Sequence, residues 1–331
     1  MHSNHRLGYA NSKTGYYSYY QSLLPHVHKG ISNAFWSMSN LSLKMKRNIF
    51  QYRTGTLFNQ KHAVRFKNST SLQCPLCQQA DSALHILSGC QHNIISGMIT
   101  ERHNVACRLI MKAISKGSLA GCIIHMDAGS TDRLAQQNLQ IPEHASNRTL
   151  PSWLFDARLS VRERLTSSRP DAILVTPLPT KPKPPDTSQL QQVRRTRQNA
   201  GARRAHELAA NKREIHLLEI KYCEDTRPGN QLEASSKQHQ TLLKRLKAKN
   251  VVLHTILLGV GGSIYTSYTL NHLKELGLDP QRAHITALKL HAHSFLYAHK
   301  LTTTRRALEK TSYSQGFGLE QGAASHPPDP H

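Results

Sequence analysis

Ile215-His-Leu-Leu-Glu219-Ile-Lys221 decides how the second half of this chain folds. It is short, apolar and bounded by charge, which reads as a strand. Side chains at i and i+2 of a strand share a face. Glu219 and Lys221 therefore project together while Ile220 enters the core. Upstream, Asp171-Ala-Ile-Leu-Val175 forms a compact apolar strand. Downstream, a basic helix over 231–249 carries Leu232, His239, Leu242, Leu243 and Leu246 along one side. An apolar strand over 251–260 follows and is closed by Gly259, Gly261 and Gly262. A short helix over 157–165 precedes these elements, and helices over 268–276 and 283–301 come after them. The expected class is α/β, a mixed sheet flanked by helices in a domain spanning 153–305.

Toward the N-terminus the pattern changes. Met38, Leu41, Met45 and Ile49 recur at helical spacing among Lys44, Lys46, Arg47 and Arg53, predicting a basic amphipathic helix. Cys74-Pro-Leu-Cys77, seven residues to His85 and four more to Cys90 form a C-x2-C-x7-H-x4-C array. Three thiolates and an imidazole are a good tetrahedral set for one structural Zn2+. His92, His103 and Cys107 stand close behind as alternative ligands. A second helix is expected over 94–114. The expected organisation is a poorly ordered segment 1–35, a helical knuckle module 36–124, a linker 125–152, the α/β domain and a disordered tail 306–331. Within the α/β domain, 177–213 reads as a basic insertion: positions 177–185 hold five prolines, and 194–213 hold seven Lys/Arg against one Glu.

The chain has 331 residues and a formal charge of +23, far beyond what solubility needs, which favours a polyanionic partner. Arg194, Arg195, Arg197, Arg203, Arg204, Lys244 and Arg245 are the candidate nucleic-acid contacts. The first hundred residues contain one carboxylate, Asp81, against ten Lys and Arg, so acidic groups for metal chemistry must come from downstream. No run of 18 apolar residues argues for a membrane span, and the N-terminus lacks the apolar core of a secretory signal. Clustered cysteines without such a signal point to metal in a reducing, intracellular setting.

A divalent-metal nuclease needs carboxylates around Mg2+ and a cation or base near the attacking water. Carboxylate-x-Lys occurs once, as Glu219-Ile-Lys221. Pro-Asp occurs at Asp171, Asp186 and Asp329, and only Asp171 opens an apolar strand. Asp171 and Glu219 are thus the candidate Mg2+ ligands, with Lys221 acting on water or phosphate. Glu163 is either a third ligand or a solvated partner of Arg162 or Arg164. Tyr222-Cys-Glu-Asp225 superficially matches a polymerase motif, but it overlaps the Glu219 strand and is rejected.

The knuckle, Arg102-His103-Asn104, Arg169-Pro-Asp171 and Glu219-Ile-Lys-Tyr222 together resemble the C-terminal end of non-LTR retrotransposon proteins with a restriction-like endonuclease. In that family a CCHC knuckle precedes a PD-(D/E)xK nuclease that nicks target DNA to prime reverse transcription. The resemblance covers roughly 45–305 and implies metal ligation by Asp171 and Glu219, a water-directed role for Lys221, and Gln238 and His239 near the site. It further implies DNA and element RNA as partners, a nuclear location, and a reverse transcriptase acting in cis or in trans. No polymerase-sized domain is present, so the expectation is a fragment of an element protein or a stranded gene copy. The offset of 48 positions from Asp171 to Glu219 is a long gap for the motif. The alternative is a non-catalytic nucleic-acid-binding relic or co-opted fragment.

Overall fold

A computed structural model describes residues 26–126, 170–177, 213–246 and 250–320. The elements in chain order are α1 (Lys29–Ser32), α2 (Leu43–Arg53), α3 (Gln60–Arg65), α4 (Asn93–Ile114), β1 (Ile123–Met126), β2 (Ala172–Pro177), β3 (Arg213–Cys223), α5 (Pro228–Arg245), β4 (Asn250–Gly259), α6 (His272–Glu275) and α7 (Pro280–Glu320).

The four strands form one sheet in the order β1-β2-β3-β4. β1–β2 and β2–β3 are antiparallel, whereas β3 and β4 run parallel, joined by the α5 crossover. This is the mixed α/β architecture expected from the strand and helix patterns. The period-2 alternation divides the sheet cleanly. Ala172, Leu174, Leu218, Ile220, Ile256 and Leu258 pack with Ala106, Ile110 and Ile114 of α4 and Ala283, Ala287 and Leu290 of α7. Ile173, Ile215 and Leu217 face the other way, against Leu242 of α5 and Leu246 just after it. Ser235, His239 and Leu242 give α5 its buried stripe at helical spacing.

Several expected boundaries shift. The segment expected to be poorly ordered up to residue 35 is structured from residue 26: Val27 bridges Tyr265, Ser32 Oγ accepts from the Ile264 amide, and Ile31 and Phe35 are buried. The expected linker begins later, because residues 125 and 126 belong to β1. The tail is not disordered from 306, since α7 continues to Glu320. Nor do the buried clusters of the described residues follow the expected boundary at 125–152. Ile110 and Ile114, placed by sequence in the knuckle module, share one cluster with the strands of the α/β domain. The helix expected over 157–165, with Glu163, and positions 178–212 of the basic insertion lie outside the described residues.

The lone acidic group of the N-terminal hundred residues has a structural task. Asp81 makes a bidentate pair with Arg305 of α7, at 2.7 and 2.8 Å, and accepts from the Gln60 amide at 2.8 Å. Both side chains are almost fully buried. Glu309 also accepts from Arg305, and these partners raise the guanidinium pKa further despite burial. Removing one partner of a buried pair strands the other charge. Asp81→Ala should therefore destabilise the protein by about 3 kcal/mol in chemical unfolding, and a change within experimental error would show the pair to be neutral.

Candidate functional site

Four side chains predicted to bind metal do converge. Cys74 and Cys77 come from one tight turn, in which Cys74 donates its amide to Gln79 and accepts from the Gln78 amide. Gln78 has φ 62, the conformation that closes this turn. His85 opens a π-helical turn, His85–Gly89, whose first amide is bonded by Ser82 Oγ at 3.0 Å, and Cys90 follows directly. The Sγ atoms of Cys74 and Cys90 are 4.0 Å apart and those of Cys77 and Cys90 are 3.8 Å apart. His85 Nε2 lies 3.3 Å from Cys77 Sγ. All four donor atoms fall within 4.8 Å of one another, a cluster that could hold one metal ion. A tetrahedral zinc with bonds of about 2.3 Å sets its sulfurs about 3.8 Å apart, so the cluster is compatible with that ion. Burial pushes the Cys90 thiol up to about 12 and raises Cys74 as well; a cation between them is what would make thiolates favourable there.

His103 and Cys107, the alternative zinc ligands, belong to a different group. His103 Nε2 is 3.4 Å from Asp171 Oδ2 and 3.0 Å from the Ile220 carbonyl, with Cys107 beside it. Asp171 stands just before β2 and accepts from the Ile220 amide at 2.7 Å through the same Oδ2. Oδ1 takes part in none of these contacts. Burial raises the Asp171 pKa, the negative charge of Glu219 adds to the rise, and His103 opposes it. His103 is itself raised, its pairing with Asp171 outweighing desolvation.

Glu219 and Lys221 do share the α5 face of β3. Lys221 Nζ pairs with Glu219 Oε1 and donates to Gln238 Oε1 at 2.8 Å. Gln238 Nε2 returns a bond to Glu219 Oε1 at 3.3 Å, and the fully buried His239 lies 2.9 Å from Glu219 Oε2. Burial alone would raise the Glu219 carboxyl, but bonds from His239 and Lys221 hold it below the usual carboxylate range. Two neighbouring carboxylates thus have their proton affinities pushed in opposite directions, as in sites where two acids take different roles. The donor atoms of Asp171, His103 and Cys107 lie within 4.8 Å of one another, and Glu219 is not part of that cluster.

Arg102 links the knuckle to this strand. Its Nη1 donates to the Leu87 carbonyl at 2.7 Å, and its guanidinium lies 4.0 Å from the Tyr222 ring centroid. Neither Arg102 nor Tyr222 carries a local sequence signal for this contact, since the two are 120 positions apart. Asp225, quoted for the rejected polymerase motif, receives the Gly261 and Ser263 amides at 2.7 and 3.0 Å and is buried. A Cβ on Gly261 would collide with Tyr52, so the closing loop needs glycine there.

Of the candidate nucleic-acid contacts, Lys244 is exposed near the end of α5 and Arg245 ends that helix; Arg194, Arg195, Arg197, Arg203 and Arg204 lie outside the described residues. Among the described residues no helix is long and apolar enough to cross a membrane. Neither a protein-family model nor a curated protein matches the chain.

Proposed function

We propose that this protein is a Mg2+-dependent DNA endonuclease of the PD-(D/E)xK kind, anchored on nucleic acid by a single-zinc knuckle and a basic surface. The reading extends the resemblance to the target-nicking end of non-LTR retrotransposon proteins, with DNA and element RNA as partners, a reverse transcriptase in cis or in trans, and a nuclear location. The observation that carries it is the placement of Glu219 and Lys221 side by side on one strand face, bonded to Gln238 and His239, next to the strand that Asp171 opens.

The donor set suits a hard cation, because Asp171 and Glu219 offer carboxylate oxygens and Asp171 Oδ1 is unused by the contacts described. Mg2+ bound there would neutralise phosphate charge and activate water. His239 fixes the Glu219 carboxylate at Oε2, and Gln238 holds the Lys221 ammonium beside it. Lys221 would place a positive charge near the attacking water or the phosphate. Zinc at Cys74, Cys77, His85 and Cys90 would act structurally. The test is nicking of supercoiled plasmid with and without Mg2+; cleavage that needs the ion supports the proposal, and none under Mg2+ or Mn2+ rejects it.

One observation favours the binding-only alternative: Asp171 turns its Oδ2 to His103 and Ile220. That reading forecasts affinity without cleavage. Either way, phosphate contacts release counterions, so affinity should fall by about 10³ or more between about 50 and 200 mM salt for some six contacts. Charge reversal at Arg194, Arg195 and Arg197 should flatten the slope in a binding titration, whereas an affinity indifferent to salt would point to a protein partner.

A further inference from the structure

A third group of side chains that could hold a metal ion gathers around His254, on the sheet face away from Glu219. In the parallel register Leu218 pairs with His254, so His254 shares the face of Leu218, opposite Glu219. His216, two residues before Leu218, is on that face too. Thr176 Oγ1 lies 3.3 Å from His216 Nε2, and His216 Nδ1 lies 2.9 Å from His254 Nε2. The Thr176 hydroxyl donates to the Glu214 carbonyl at 3.5 Å, so its oxygen is left to accept from His216 Nε2–H. His216 Nδ1 then accepts from His254 Nε2–H. This order of protons leaves a lone pair on His254 Nδ1.

That lone pair points at two further donors. His272 Nδ1 is 3.2 Å away and Glu275 Oε2 is 3.4 Å away. His272 and Glu275 are three residues apart on α6, hence on one helix face, with 3.0 Å between the same two atoms. The three separations nearly match the spacing of about 3.3 Å expected between neighbouring donors of a tetrahedral ion with bonds of about 2.0 Å. One proton on His272 satisfies two facing acceptors poorly, whereas one cation satisfies three inward lone pairs. All three donor atoms lie within 4.8 Å of one another.

We propose that His254, His272 and Glu275 form a further metal site, taking a zinc-like divalent transition ion. Two imidazoles and a carboxylate fill three positions and leave a fourth open. His254 is buried, while Glu275 is 55% and His272 21% exposed, so the open position faces solvent and suits water or a small anionic ligand. His216 and Thr176 orient His254 by holding its other ring nitrogen. The site shares no residue with the knuckle or with the proposed nuclease centre.

The test is metal content and cobalt spectroscopy on the full chain after desalting into metal-free buffer. The wild type should retain two zinc ions per chain. Cobalt loading should give a thiolate charge-transfer band from the knuckle and separate ligand-field bands from the nitrogen–oxygen site. His272→Ala, a change at a partly exposed position, should retain one ion and lose only the second set of bands; the persisting thiolate band also reports that the variant folds. Glu219→Gln should keep both ions, which separates this site from the proposed nuclease centre. A wild type that retains a single ion with a purely thiolate spectrum overturns the proposal, as does a His272→Ala variant that keeps two.

Discussion

Glu219→Gln should abolish Mg2+-dependent nicking while leaving DNA affinity within a few-fold of the wild type. The substitution keeps the shape of the side chain and an oxygen for His239, so the fold has little reason to change. It removes the charge that would hold the ion, and losing one such electrostatic contribution costs on the order of 10²–10³ in turnover. Asp171→Asn should be equally damaging. Lys221→Ala should lose turnover without losing metal, because its ammonium is not a ligand. Single-turnover nicking of supercoiled plasmid together with Mn2+ binding distinguishes these outcomes. Equal rates for the wild type and Asp171→Asn would show the site to be misassigned even if the enzyme class stands.

Cys77→Ser should cost the knuckle its ion and, with it, the cooperative fold. Structural zinc contributes on the order of 10 kcal/mol of apparent binding free energy, comparable with the whole net stability of a domain, about 5–15 kcal/mol. Here the effect should not stay local. Cys74 and Cys90 belong to one buried cluster with Phe35, Ile49, Leu57 and Ile95, and with Phe295 and Leu301 of α7. The variant should bind no zinc at the knuckle and show a lowered or lost thermal transition. A freshly purified wild type without knuckle zinc, or a variant melting like the wild type, would defeat the prediction.

What the sequence made legible was local. The knuckle could be read because its four donors fall within seventeen consecutive positions. β3 could be read because it is a short apolar run bounded by charge, and α5 because its apolar stripe has the helical period. Features resting on distant partners stayed hidden. The 26–36 segment has weak local signals and is held by Val27 to Tyr265 and Ser32 to Ile264. β1 is four residues long, too short for a pattern. α7 runs past residue 301 through Thr302 and Thr303, poor helix formers; their hydroxyls bond back to Ala298 and His299 carbonyls, and Arg305 behind them is tied to Asp81. The position of His103 just behind the knuckle suggests a spare zinc ligand, yet its partner is Asp171, 68 positions downstream. The His216, His254, His272 and Glu275 group left no motif because three separate elements supply it.

α4 carries Arg102 toward the knuckle and Ile110 and Ile114 toward the sheet. A shortened chain beginning after this helix would strip part of the cover from one side of β2, β3 and β4 and expose apolar surface prone to aggregate, and a chain ending after it would leave its own apolar stripe without the sheet. Dissecting grip from cutting by trimming the gene is therefore a poor strategy for this molecule. Point changes in the intact polypeptide are the usable scalpel, and an insoluble half would say nothing about what either half does.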